Sequence, residues 1–181
     1  MRRICIVGTS GCGKTTLARQ LAEQLDIPHV EMDALFWQPG WSSTEAAVFA
    51  ARVGEALVGD CWVVDGNYYS RRDITWARAD TLIWLDYSLP LVLSRITRRT
   101  ASRLITRTEL WNGNRERLRA VFSRDSIILW SLTTWARNRR RYRQQFAQPE
   151  FSHLRLIRLR SPRRTRRWLR SLAAMPSVSV H

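Results

Sequence analysis

The sequence predicts an α/β fold, a parallel sheet with helices packed on both faces, and three observations carry that expectation. Short apolar runs alternate with segments of helical periodicity along the chain, so the connections between strands are crossovers through helices. The first apolar run leads directly into a glycine-rich loop and then a helix. At 181 residues, with nine Trp and 45% apolar content, the chain has enough material for one domain with a substantial core.

Taken in order, residues 3–7 read as a strand buried on both faces, ending at Gly8. A helix follows over 14–25, with Leu17, Leu21 and Leu25 at helical spacing and Pro28 beyond its end. Residues 28–32 form the second strand, Asp33 follows it, and residues 36–41 make an aromatic loop. Ser43 is expected to cap a helix reaching about Leu57, with Glu45 in its first turn. The third strand, 61–64, ends at Asp65-Gly66, and the fourth, 81–85, ends at Asp86, with a short helical turn over 73–79 between them. From 90 to 104, Leu91, Val92, Ile96 and Leu104 recur at helical intervals among Arg95, Arg98, Arg99 and Arg103. Asn112-Gly113-Asn114 is a turn signal, 115–146 a long helix or helix pair, 154–159 the last strand, and 162–172 the last helix with Pro in its first turn. This gives one domain over 1–175 and a frayed tail over 176–181.

No apolar run reaches the roughly 18 residues a membrane helix needs, since Asp86 and Pro90 interrupt the greasiest stretch, 81–93. The apolar segment after Met1-Arg2-Arg3 is too short for a secretory leader and runs into the glycine loop. A soluble, cytoplasmic protein without a membrane partner is the expectation. Cys5, Cys12 and Cys61 are odd in number and lack CxxC spacing, which favours buried thiols over disulfides. His29, His153 and His181 are scattered, and no Cys/His cluster has zinc-site spacing. Residues 1–94 carry 8 basic and 11 acidic groups, whereas 95–181 carry 22 basic and 4 acidic, so the C-terminal half is the anion-attracting half. Of the 30 basic residues, Lys14 alone is lysine.

Gly8-Thr9-Ser10-Gly11-Cys12-Gly13-Lys14-Thr15 fits the phosphate-loop pattern G-x-x-x-x-G-K-[ST] in full, between the strand and the helix that the pattern requires. Glycines let such a loop wrap a phosphate with backbone N–H groups pointing inward, and the following helix adds its positive end. Lys14 then neutralises β and γ oxygens, and the Thr15 hydroxyl is a ligand for Mg²⁺. ATP with Mg²⁺ is the expected ligand. Phosphoryl transfer also needs a carboxylate at a buried strand end to hold the hydrated metal: Asp65, beside Gly66, is the better candidate and Asp86 the alternative, unless Asp86 merely starts the next helix.

Asp33, after the second strand, is placed to orient or deprotonate an acceptor hydroxyl, with the aromatic loop as a pocket wall; the plainer reading is a turn cap. Arg95 and Arg99 share one helix face and are candidates to clamp the transferring phosphates; Arg115 and Arg119 repeat the spacing, and a solvated arginine face is the alternative. The basic runs 137–143 and 163–167 could grip a nucleic acid backbone, although a basic helix surface is commoner. A GTPase reading fares worse, because the guanine-reading Asn-Lys-x-Asp motif needs a second lysine and the chain has none.

At Gly8 to Thr16, Met32-Asp33-Ala34-Leu35-Phe36-Trp37, Pro39-Gly40-Trp41, Asp65-Gly66-Asn67-Tyr68, Arg95 to Arg99 and Leu159-Arg160-Ser161-Pro162, the sequence resembles the adenylate-kinase-like P-loop proteins of the DNA topology modulation type. That resemblance implies a three-layer nucleotide-kinase core with strand order 2-3-1-4-5, a short lid at about 100–115, and ATP contacts through Thr16 as well as the loop. It implies transfer of the γ-phosphoryl group to a nucleotide, nucleoside or other small hydroxyl acceptor. A regulatory protein acting on nucleic acid through the basic half is the alternative. Asp65-Gly66 resembles the start of the adenylate kinase Asp-Gly-Phe-Pro-Arg motif, and Arg95 with Arg99 the arginines at the lid base. Phe36 and Tyr69 stand where adenylate kinases carry AMP-binding arginines, which implies that AMP is a poor acceptor.

Overall fold

The computed structural model describes residues 1–106, 108–114 and 127–173. Five parallel strands, β1 (Arg3–Gly8), β2 (His29–Glu31), β3 (Trp62–Asp65), β4 (Thr81–Leu85) and β5 (Arg155–Leu159), form one sheet in the order β2-β3-β1-β4-β5. Helices follow the strands as α1 (Lys14–Leu25), α2 (Met32–Phe36), α3 (Ala46–Ala56), α4 (Arg72–Arg78), α5 (Leu89–Thr106), α6 (Ile127–Phe146) and α7 (Pro162–Ala173). This is the expected architecture, with the expected strand order.

Alternation along the central strands explains the three layers, because successive side chains point to opposite faces. Ile4, Ile6, Val63, Ile83 and Leu85 face one way and pack with Leu17 and Leu21 of α1, Val92 and Ile96 of α5, and Trp168 and Leu169 of α7. Cys5, Val7, Trp62, Val64, Leu82 and Trp84 face the other way, against Phe49 and Val53 of α3, Trp76 of α4, and Tyr142 and Phe146 of α6. Both faces are covered, so the central strands read as unbroken apolar runs rather than alternating ones.

Two local expectations fail for identifiable reasons. Ser43 does not cap α3; its backbone bridges to Trp37, and the buried Thr44 hydroxyl lies 2.7 Å from the Phe36 carbonyl, so the chain stays extended until Glu45. The excursion expected over 100–115 begins later, since α5 continues through Thr106 with Thr100 buried in line with Val92 and Ile96. A single turn, Trp111–Gly113, follows, with Asn112 left-handed at φ 55°. Residues 115–126, with Arg115 and Arg119, and the tail 176–181 lie outside the described residues. Cys5 and Cys12 are buried free thiols, and Cys61 is half-buried and also free. Among the described residues no helix is long and apolar enough to cross a membrane.

Candidate active site

Open parallel sheets leave a crevice at the carboxyl ends of their strands. A cavity of about 960 Å³ lies there, and residues 10–16 of the glycine loop border it. The loop's shape is set by glycine where no other residue fits. Gly11 is left-handed at φ 79°, and a Cβ there would sit 2.3 Å from Cγ1 of Ile96. Gly13, at φ 95°, turns the chain into α1, and its carbonyl accepts the first helical bond, from Leu17 N–H at 3.0 Å. Gly8 and Thr9 are buried at the loop's base, away from the cavity wall. Asn67 holds that base from β3's end: its Oδ1 accepts the Gly8 N–H at 3.1 Å and its Nδ2 donates to the Gly8 carbonyl at 2.6 Å. The Tyr142 hydroxyl donates to the same Oδ1 at 2.9 Å. Cys12 contributes backbone only; burial pushes its thiol pKa up, and the charge of Lys14 opposes the rise.

Lys14, Arg95 and Arg99 all border the cavity, and Arg103 joins them one turn further along α5. Residues 95, 99 and 103 form one stripe while 92, 96 and 100 are buried behind it, so the helix serves core and cavity at once. Arg95 is fixed by donating from Nη1 to the Cys12 carbonyl at 3.0 Å and by lying 5.4 Å above the Tyr87 ring. The Tyr87 hydroxyl shares a hydrogen bond with Thr165 Oγ1 at 2.6 Å, which ties this wall to the start of α7.

Three carboxylates border the same cavity, Glu31, Asp33 and Glu109. Thr15 Oγ1 lies 3.5 Å from Glu31 Oε1. Strand register pairs Glu31 with Asp65, which is buried, with Oδ1 3.7 Å from His29 Nε2 and Oδ2 without a hydrogen-bond partner. Asp65 therefore sits behind Glu31 instead of on the cavity wall. Burial, then the charge of Asp65, raises the Glu31 pKa above the ordinary 4.5, while a hydrogen bond from Trp111 and the charge of Arg19 pull it down. Asp33 Oδ1 accepts the Tyr68 hydroxyl at 2.6 Å, and burial followed by the Asp33 charge pushes that phenol's pKa upward.

Asp86 has a different task. Its buried carboxylate meets Arg139 Nε at 2.6 Å, while Arg158 donates to Oδ2 from Nε at 2.9 Å and also from Nη2. It locks β4 to α6 and β5 and does not border the cavity. The aromatic loop is also displaced from the expected pocket: Phe36 packs on Phe49 and Tyr68, and Trp37 on Trp41. Leu110 and Trp111 border the cavity in its place. Asn112 and Asn114 staple the loop from outside, donating to the carbonyls of Trp37 at 2.5 Å and Gln38 at 2.8 Å. The Tyr69 side chain lies outside what the structure describes.

The set suits magnesium and a triphosphate. Among the described residues no three His, Cys, Asp or Glu side chains form a metal cage, and Mg²⁺ ordinarily takes one or two protein ligands plus phosphate oxygens and water. The Thr15 hydroxyl and Glu31 could supply that minimum, beside the glycine loop and five arginines, Arg19, Arg95, Arg99, Arg103 and Arg166.

A family model described as an AAA domain matches residues 4–119. No curated protein sequence matches the chain. Among solved structures, the shikimate kinase of Acinetobacter baumannii in complex with shikimate superposes with a TM-score of 0.57 at 16% identity, covering 100% of this chain and 96% of that one. The shikimate kinase of Bacteroides thetaiotaomicron gives 0.56 at 15% identity, covering 96% and 97%. A gluconokinase of Sinorhizobium meliloti gives 0.52 at 20% identity, covering 96% and 94%. The fold is that of P-loop kinases over essentially the whole chain.

Proposed function

The chain belongs to the AAA domain family, and from that premise we propose that it is an ATP-dependent small-molecule kinase, transferring the γ-phosphoryl group to a hydroxyl held at Asp33. The observation that carries this reading is the convergence of Lys14, Arg95, Arg99, Glu31 and Asp33 on one cavity beside the glycine loop. The fold neighbours, kinases of shikimate and gluconate by name, support it.

In this reading the backbone of residues 10–16 cradles the phosphates, and Lys14 offsets charge on the β and γ oxygens. Thr15 and Glu31 would hold the hydrated Mg²⁺, with Asp65 backing Glu31, and the ion would shield phosphate charge when bound. Arg95 and Arg99 stabilise the charge that spreads over the equatorial oxygens as the phosphoryl group moves. The acceptor oxygen bonds to γ-phosphorus, the bond to the β–γ bridging oxygen breaks, and the hydroxyl proton passes to Asp33. Fixing Arg95 on the loop's own carbonyl costs the site no rearrangement at that moment.

AMP is a poor acceptor in this account, since Phe36 is turned into the aromatic core and supplies no cation to a phosphate. A second reading, an ATP-binding regulator of nucleic acid, rests on Arg163, Arg164, Arg166 and Arg167, all exposed on α7. ADP release against a panel of alcohols, sugars, hydroxy acids, nucleosides and AMP tests both. The kinase reading requires saturable, acceptor-dependent release; acceptor-independent binding to DNA that collapses as salt rises would favour the second.

A further inference from the structure

Glu31, whose Oε1 lies 3.5 Å from the Thr15 hydroxyl, ends β2, and Asp33 is the second residue of α2. Both carboxylates therefore hang on one short segment, residues 31–38. A strap of residues 108–114 grips that segment along its length. Asn112 Nδ2 donates to the carbonyls of Ala34 at 3.3 Å and Trp37 at 2.5 Å, and Asn114 Nδ2 donates to the Gln38 carbonyl at 2.8 Å. Asn114 Oδ1 accepts the Trp41 N–H at 2.9 Å, and the Trp41 ring meets the Trp111 ring edge-on at 6.4 Å. At the strap's other end the hydroxyls of Thr106 and Thr108 share a hydrogen bond at 2.5 Å, so the strap is tied to the helix that carries Arg95, Arg99 and Arg103. Within this frame the indole N–H of the half-buried Trp111, the one donor that side chain has, reaches Glu31 on the cavity wall.

We infer that Trp111 is a positioning residue of the metal side of the site, delivered by the strap to hold the Glu31 carboxylate where it faces Thr15. The inference rests on the reading of Glu31 as the metal-side carboxylate and adds the group that orients it. A glutamate side chain has several rotatable bonds, and one fixed donor removes most of that freedom. Arg19 is the other cation at hand, with Nη2 3.5 Å from Glu31 Oε2, but its side chain is 64% exposed, and a solvated ion pair gives little orientation. The indole is held instead. Its ring is braced by Trp41, and its carbonyl accepts Asn114 Nδ2 at 2.9 Å and the Asn114 N–H at 3.2 Å. Asn112, left-handed at φ 55°, closes the turn and spends its side chain on α2. A donor of this kind, set behind a metal ligand, fixes the ligand's direction, and its loss ordinarily costs about 10–100-fold in metal affinity. The strap thus joins the arginine stripe of α5 to the segment that bears both carboxylates, so the nucleotide side and the acceptor side share one support.

The experiment titrates the full chain with Mn²⁺ in the presence of ATP and reads free Mn²⁺ by electron paramagnetic resonance, which reports metal affinity without turnover. Trp111→Phe keeps an aromatic ring against Trp41 and removes the N–H; it should weaken Mn²⁺ binding about tenfold or more while leaving metal-free ATP affinity within twofold and the urea midpoint in place. Asn112→Gly preserves the left-handed turn, removes the staple to α2, and should weaken Mn²⁺ binding in the same sense. Glu31→Gln is the reference, with a loss at least as large. Wild-type Mn²⁺ affinity in either strap variant, or an equal loss of metal-free ATP binding, overturns the positioning role, and a weakened Glu31→Gln beside it leaves the kinase reading standing. Wild-type Mn²⁺ affinity in Glu31→Gln overturns the metal-side assignment and the inference with it.

Discussion

Replacing Asp86 with Asn removes one charge from the centre of a buried cluster and leaves two arginines facing each other. The Asp86 side chain is fully buried, whereas those of Arg139 and Arg158 keep 30% and 25% of their exposure. Breaking a fully buried ion pair by removing one partner costs about 3–5 kcal/mol. Partial solvation of both arginines lowers that figure, and each retains an aromatic stack, Arg139 at 4.5 Å over Trp135 and Arg158 at 4.4 Å over Trp84. The net loss is about 2–3 kcal/mol. With a urea m-value of about 2–3 kcal/mol/M for a domain of this size, the unfolding midpoint should fall by about 1 M at unchanged m. Urea titration followed by far-UV circular dichroism reads the shift, and turnover below the transition should stay within a few-fold of wild type. An unmoved midpoint refutes the clamp. A folded Asp86→Asn chain with lost magnesium dependence would make Asp86, not Glu31 and Asp65, the metal-side carboxylate.

Glu31→Gln tests the metal side. Because its folded pKa is raised above the ordinary 4.5, the Glu31 carboxylate loses its charge as pH falls through that raised value. The wild-type acid limb of turnover should therefore lie above pH 4.5, and Glu31→Gln should abolish that limb along with most activity. Stability has the opposite sign: a raised folded pKa favours the folded state at low pH and ceases to do so as pH rises through it. Glu31→Gln should thus gain stability over wild type at pH 7 and not at pH 4, as thermal melts at the two values will show. Tyr68→Phe removes the bond to Asp33, worth about 1.5–3 kcal/mol for a charged acceptor, and should lower kcat/KM for the phosphoryl acceptor at least tenfold with the KM for ATP unchanged.

What the sequence disclosed follows from distance along the chain. The glycine loop, its strand and its helix are contiguous, and Arg95 with Arg99 declare a shared face by spacing alone, so these were legible. Arg103 falls in the same helical segment by spacing, but only the cavity shows that it shares the stripe of Arg95 and Arg99. Asp86 was legible as a carboxylate at a strand end and not as a clamp, because Arg139 and Arg158 are 53 and 72 positions away. Asn67, 59 positions from Gly8, was visible only as part of a family-like run. Glu31 was overlooked because its neighbour Asp33 follows the strand, whereas strand register and the nearby Thr15 hydroxyl give Glu31 its meaning. The aromatic loop was read as a pocket since composition cannot say which side of a loop faces a cavity; Thr44, Asn112 and Asn114 turn it toward the core.

Acceptor-dependent ADP release by Lys14→Ala, compared with wild type at equal folded concentration, addresses the central claim most directly. Lys14 is the single lysine of the chain and borders the nucleotide cavity, outside both core clusters, so its removal should leave the urea midpoint in place. The account predicts a loss of turnover of a hundredfold or more, in line with removal of a preorganised charge from a phosphoryl-transfer site. Turnover equal to wild type in the folded variant would contradict it.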